Sequence, residues 1–152
     1  MTIGESVSNF AFAATSGLNG HLSDYQGQYV VLYFYPKDST PGCTTEGQDF
    51  RDAYSQFQAL NTQIFGISRD SLKSHENFKA KQNFPFELIS DADEQLCQLF
   101  DVIKMKSMYG KQVRGIERST FLIDLQGKLA HEWRKVSVKD HVNDVLNTLK
   151  QI

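Results

Sequence analysis

Seven consecutive residues, Tyr29-Val30-Val31-Leu32-Tyr33-Phe34-Tyr35, are apolar or aromatic with no charged or amide side chain among them. β-Branched and aromatic side chains suit extended backbone, and a run apolar on both faces needs cover on both, so this segment is predicted as a central strand. Pro36 ends it, having no N–H to give a sheet ladder. Any fold open to this chain must therefore lay other elements above and below one buried strand.

The rest of the pattern supplies them. From Thr44 onward, Phe50, Tyr54, Phe57 and Leu60 recur at helical spacing and define one apolar face. Ile64-Phe65-Gly66-Ile67-Ser68 and Phe86-Glu87-Leu88-Ile89 read as further strands. Asp70 is expected to cap a helix carrying Leu72 and Phe78 inward, which Asn83-Phe84-Pro85 stops. A short helix from about Asp93 to Phe100 contains Cys97, and Lys104 to Gly115, polar and basic, reads as a mobile loop. Ser119 to Asp124 and Leu129 to Trp133 flank a turn and predict a hairpin, and Val138, Val142, Val145, Leu146 and Leu149 predict a closing helix. At the start, Phe10 and Phe12 alternate with small residues ahead of Gly17-Leu18-Asn19-Gly20, a short hairpin, and Ser23-Asp24 opens a helical turn. Strands alternating with helices, then a hairpin and a last helix, make an α/β sandwich. The order is that of a thioredoxin-like fold: a mixed central β-sheet flanked by helices, with an N-terminal β-hairpin, in one domain over residues 1–152.

Charge and cysteine usage exclude several functions. The formal net charge is -2 with no basic run, which gives no electrostatic footprint for nucleic acid. No apolar stretch approaches the ~20 residues of a membrane span, and Met1-Thr2-Ile3-Gly4-Glu5 lacks the layout of a signal peptide, so a cytoplasmic protein is expected. Cys43 and Cys97, far apart and without a His/Cys cluster, make neither a disulfide framework nor a zinc site. His21, His75, His131 and His141 lack metal-ligand spacing and are expected in surface or capping roles. No cofactor or metal is expected.

Cys43 lies in Pro36-Lys37-Asp38-Ser39-Thr40-Pro41-Gly42-Cys43-Thr44, where the strand gives way to a helix. The first N–H groups of a helix lack intrahelical acceptors, and the partial positive charge there favours a thiolate, the nucleophilic form, over a thiol. Elsewhere in globular proteins a cysteine is more often an inert small hydrophobe, and nothing around Cys97 argues otherwise.

The spacing Pro36-X-X-X-Thr40-X-X-Cys43 resembles the peroxidatic motif of the peroxiredoxins. The longer strings Tyr33-Phe34-Tyr35-Pro36-Lys37-Asp38 and Thr40-Pro41-Gly42-Cys43-Thr44 are similar to their bacterioferritin-comigratory-protein, or peroxiredoxin Q, branch. Phe50-Arg51-Asp52, Gly66-Ile67-Ser68, Ser90-Asp91 and Arg118-Ser119-Thr120-Phe121-Leu122-Ile123-Asp124 match in family order across most of the chain. The resemblance implies a monomeric thiol peroxidase that reduces hydrogen peroxide and organic hydroperoxides without metal, haem or flavin. Thioredoxin, glutaredoxin or glutathione would be its reductant. It further implies Cys43 as the thiolate oxidised to sulfenic acid, Thr40 as a hydroxyl orienting the peroxide, Pro36 as a shield around the sulfur, and Arg118 as the guanidinium stabilising thiolate and peroxide. Taken singly, Thr40 also reads as a helix cap, Pro36 as a strand terminator, and Arg118 as a surface cation paired with Glu117 or Asp124. Glu46 would oppose a thiolate if it faced the sulfur, and is expected to meet other polar groups without chemical work.

Two positions depart from the branch. Many members carry a resolving cysteine five residues after the first, where this chain has Gln48, and others about thirty-five residues on, where Asn77-Phe78-Lys79-Ala80 has none. A sulfenic acid on Cys43 must then meet an external thiol or Cys97. A bridge needs Cα atoms within about 7 Å, and so local unfolding of the first helical turn. A one-cysteine cycle is the expectation, with Cys97 as resolving residue the alternative. A disulfide oxidoreductase is disfavoured because Thr40 and Glu46 stand where a C-x-x-C partner would be. A redox-gated sensor or holdase using Cys43 is the alternative from another class.

Overall fold

The computed structural model describes every residue from Met1 to Ile152. An N-terminal hairpin of β1 (Ala11–Ala14) and β2 (Asn19–His21) leads through a single 3-10 turn, Leu22–Tyr25, into β3 (Tyr29–Phe34). There follow α1 (Pro41–Ala59), β4 (Thr62–Ser68), α2 (Leu72–Gln82), β5 (Glu87–Ser90), α3 (Gln95–Leu99), β6 (Ile103–Met108), β7 (Lys111–Ile116), β8 (Ser119–Ile123), β9 (Leu129–Trp133) and α4 (His141–Lys150). Seven strands form one sheet in the order β2-β1-β5-β4-β3-β8-β9. β3, β4 and β5 run parallel, and the remaining pairs are antiparallel. This is the mixed sheet of a thioredoxin-like fold, with the hairpin at its edge.

β3, with Tyr35 just beyond its end, divides its side chains between two cores, as the two-residue period of a strand requires. Val30, Leu32 and Phe34 pack with Phe10, Phe65, Phe100 and Phe121, and Val31, Tyr33 and Tyr35 pack with Phe50, Phe57, Phe78, Val145 and Leu149. Burying a side chain of this size stabilises the fold by about 1.5–3 kcal/mol. The two cores thus anchor one strand from both sides, and that strand ends where the Cys43 loop begins.

Several local features differ from expectation. α1 starts at Pro41, with Thr40 as N-cap, earlier than the pattern near Thr44 suggests, because proline suits the first helical position. Ser71, not Asp70, caps α2, its hydroxyl accepting from Ser74 N–H at 3.2 Å. Asp70 instead accepts from the Ser68 hydroxyl at 2.5 Å and the Asp38 amide at 3.0 Å. Lys104 to Gly115 is not a loop but most of a hairpin of β6 and β7, turned by Tyr109 and Gly110 at φ 52° and 78° as a two-residue primed turn demands. It forms its own two-stranded sheet, with Met105, Met108, Tyr109 and Val113 exposed, so no buried face marks its strands in the sequence. His75 and His141 are buried rather than at the surface. No helix is long and apolar enough to cross a membrane.

Candidate active site

Cys43 is the third residue of α1 and only 2% exposed. The Thr40 side chain makes no cap bond, its hydroxyl donating instead to Lys37 C=O at 2.8 Å. Thr44 N–H closes the first turn on Thr40 C=O at 2.9 Å, while the amides of Gly42 and Cys43 find no acceptor in the protein. Two unpaired amides at a helix start form a site for developing negative charge. Pro36, half-buried, begins the loop and adds no polar group of its own.

Sheet pairing brings Arg118 across a long sequence gap. β3 and β8 run antiparallel with Phe34 opposite Ser119, so the residue before β8 stands where β3 releases the loop. Val136 N–H holds the Arg118 carbonyl at 2.9 Å. Its Nη2 lies 3.4 Å from Cys43 Sγ, and its Nη1 donates to Glu46 Oε1 at 2.6 Å. Gly42 lines the approach: a Cβ there would sit 3.2 Å from Nη2. The partner of Arg118 is thus Glu46, not Glu117 or Asp124.

Glu46 is fully buried, and its Oε2 has no hydrogen-bond partner. Burial pushes its carboxyl up to about 7 against the pull of Arg118. Burial works against the Arg118 charge as well, but the Glu46 carboxylate and then the Cys43 sulfur outweigh it and hold the guanidinium above the usual arginine range. One cation therefore serves two groups that compete for it. A second cation, Lys106 of β6, donates to the Ile116 carbonyl, and burial followed by repulsion from Arg118 lowers its pKa.

Cys97 lies elsewhere. It belongs to the core on the face of the sheet opposite that of Cys43, and both thiols are free. Burial, reinforced by a hydrogen bond to Asp91, pushes its thiol well above the usual range. Asp91 also ties α3 down, accepting from Leu96 N–H at 3.0 Å and Cys97 N–H at 2.8 Å.

The structure thus brings Cys43 and Arg118 together at one helix start, with Thr40 as the cap residue of that helix and Pro36 at the head of its loop, and leaves Cys97 apart. Sequence reasoning expected Glu46 to meet a polar group without naming Arg118 as that group, and did not single out Lys106. Glu46 follows Cys43 by three residues, a spacing that puts both on one helix face and within reach of one cation. Lys106 had no signal, since it sits in the stretch read as a loop.

A thiol against a guanidinium, at the start of the helix that follows the central strand of a thioredoxin-like sheet, defines a thiol peroxidase. The chain belongs to the AhpC/TSA family, whose model matches residues 3–132, and within it to the Bcp, or peroxiredoxin Q, branch. It is 52% identical over 150 residues to peroxiredoxin Bcp of Bacillus subtilis, covering 99% of this chain and 96% of that protein. Among solved structures, a cysteine-to-serine mutant of Xylella fastidiosa PrxQ superposes with a TM-score of 0.95 at 48% identity, covering 99% of this chain and 96% of that one. The bacterioferritin comigratory protein of Xanthomonas campestris, described for its alkyl peroxide reduction, superposes with a TM-score of 0.89 at 53% identity over 93% of this chain and 90% of that one.

Proposed function

We propose that the chain reduces hydrogen peroxide and alkyl hydroperoxides through a Cys43 thiolate and is recycled by an external thiol. The observation that carries this reading is the Arg118 fork, one arm 3.4 Å from Cys43 Sγ and the other on Glu46. The sulfur attacks one peroxide oxygen; the S–O bond forms as the O–O bond breaks, and the sulfur is oxidised to a sulfenic acid. The leaving alkoxide or hydroxide takes a proton from solvent and departs as alcohol or water. Arg118 and the unpaired amides of Gly42 and Cys43 stabilise the charge that develops on sulfur and oxygen. The Thr40 hydroxyl, which already donates to Lys37 C=O, keeps its oxygen free to accept from the peroxide O–H. Pro36 limits water around the sulfur. Alkyl hydroperoxides are included on the strength of the similar Xanthomonas campestris protein.

Regeneration needs two reducing equivalents from outside. A thiol of thioredoxin, glutaredoxin or glutathione attacks the sulfenic sulfur and releases water, and a second thiol then releases Cys43 as thiolate. The placement of Cys97 in the opposite core supports a one-cysteine cycle, and two free thiols suit a reducing cytoplasm. Steady-state peroxide consumption with each reductant tests the proposal. Turnover that Cys43→Ser abolishes is the expected result; stoichiometric oxidation without turnover under all three reductants marks a sensor instead.

A further inference from the structure

Behind the loop that carries Pro36 and Thr40 lies a second polar cluster. Asp38 is the one buried residue from Pro36 to Thr40, and His75, the fourth residue of α2, is fully buried. His75 Nδ1 stands 2.7 Å from Asp38 Oδ2, and Nε2 stands 2.9 Å from the Ile89 carbonyl. A carbonyl only accepts, so Nε2 carries a proton. Asp38 Oδ2 also accepts from the Ser74 hydroxyl at 2.7 Å, and its Oδ1 accepts from the Tyr35 hydroxyl at 2.6 Å. Burial opposes ionisation of Asp38, yet these three donors, His75 foremost, hold it below the usual carboxylate range.

Both ring nitrogens of His75 therefore face acceptors. The second carboxylate of the cluster, Asp70, has no lysine or arginine partner either, and its ligand atom lies within 4.8 Å of those of Asp38 and His75. The 2.7 Å separation of Nδ1 and Oδ2 is that of a charge-assisted hydrogen bond and leaves no room for an ion between them.

We propose that His75 is a positioning residue of the peroxidase reaction: as a doubly protonated imidazolium it fixes Asp38, and through Asp38 the loop that sets Pro36 and Thr40 about the Cys43 sulfur. The inference rests on the peroxidase reading above. The other side-chain ties of the loop are neutral hydroxyls, those of Tyr35 and Ser74 to Asp38 and that of Thr40 to Lys37 C=O, and the bond of the Asp38 amide to Asp70; Lys37 and Ser39 are exposed, and Ser39 takes a left-handed φ of 63°. His75 Nδ1 is the only Lys, Arg or His nitrogen within ion-pair distance of the loop's one buried side chain.

Two measurements test the assignment. Nitrogen-15 NMR of histidine-labelled wild-type protein at neutral pH should show both His75 ring nitrogens protonated; a neutral imidazole, its proton displaced to the carboxylate, overturns the proposal. Stopped-flow oxidation of Cys43 by hydrogen peroxide should slow about 10- to 100-fold in His75→Gln and in Asp38→Asn, the scale set by misplacement of reacting groups. The double variant should be no slower than the worse single. Ser74→Ala removes a neutral donor from the same carboxylate and should stay within about threefold of wild type, because the charge is kept. Independent losses in the two variants, or an equal loss in Ser74→Ala, overturn the positioning role. Failure of wild-type protein to consume peroxide would instead remove the functional reading and leave the NMR result standing.

Discussion

Arg118 touches both Cys43 Sγ, at 3.4 Å, and Glu46 Oε1, at 2.6 Å, so a single side chain couples a thiol sulfur to a buried carboxyl one turn along the same helix. The planar fork of a guanidinium can do this, and the point charge of a lysine cannot.

Arg118→Lys should therefore retain a positive charge and still lose rate. The second-order rate constant for peroxide oxidation of Cys43 is expected to fall about 10²- to 10³-fold, or about 2.7–4 kcal/mol of transition-state stabilisation. Stopped-flow kinetics reads it; a lysine variant at the wild-type rate removes the fork from the mechanism.

Glu46 makes stability depend on pH in a defined direction. Its folded pKa of about 7 lies above the unfolded value, so its contribution is present in full below the unfolded pKa and is lost as pH rises through about 7. The loss over that window is on the order of 3 kcal/mol. Urea denaturation at pH 5 and pH 8 should show this decline in wild type and a weaker one in Glu46→Gln. Parallel declines in both would mean that the carboxyl titrates normally.

Cys97→Ser should leave peroxide turnover intact. With one equivalent of peroxide, intact mass should show the gain of one oxygen per chain in wild type and variant alike. Loss of two hydrogens in wild type, abolished in the variant, would establish a Cys43–Cys97 bridge despite their separate cores.

At Gly47, α1 packs directly against the Phe84 ring. A Cβ at this position would lie 2.3 Å from Phe84 Cζ, so Gly47→Ala must displace that ring or the helix. Overpacking of this kind costs about 1–3 kcal/mol, and each kcal/mol lowers Tm by about 2–4 °C in a chain of this size. Calorimetry measures the shift, and an unchanged Tm would show that Phe84 relaxes freely.

Much of this architecture was legible because its physics is periodic. The Tyr29–Tyr35 run fills both cores by alternation, and the α1 face of Phe50 and Phe57 and the closing helix through Val145 and Leu149 each bury one recurring set of side chains. The β6–β7 hairpin escaped because it buries little: Met105 and Val113 face outward, and nothing covers them to impose an apolar alternation. Local polar choices were equally silent. Ser71 and Asp70 both suit an N-cap, and only the tertiary demand of Ser68 and Asp38 for an acceptor takes Asp70 away. At the site, the motif pointed to Cys43 and Arg118, but the pairing of Arg118 with Glu46 depends on strand register, which no local pattern expresses.

That dependence reaches back to β3. Its odd-numbered residues face the layer that holds Cys43 and its even-numbered residues face the layer that holds Cys97. A slip of one residue against β4 and β8 would exchange the two sets and turn the strand's exit toward the wrong layer. Counting parity along six residues thus decides which of the two cysteine-bearing layers each side chain of the central strand meets.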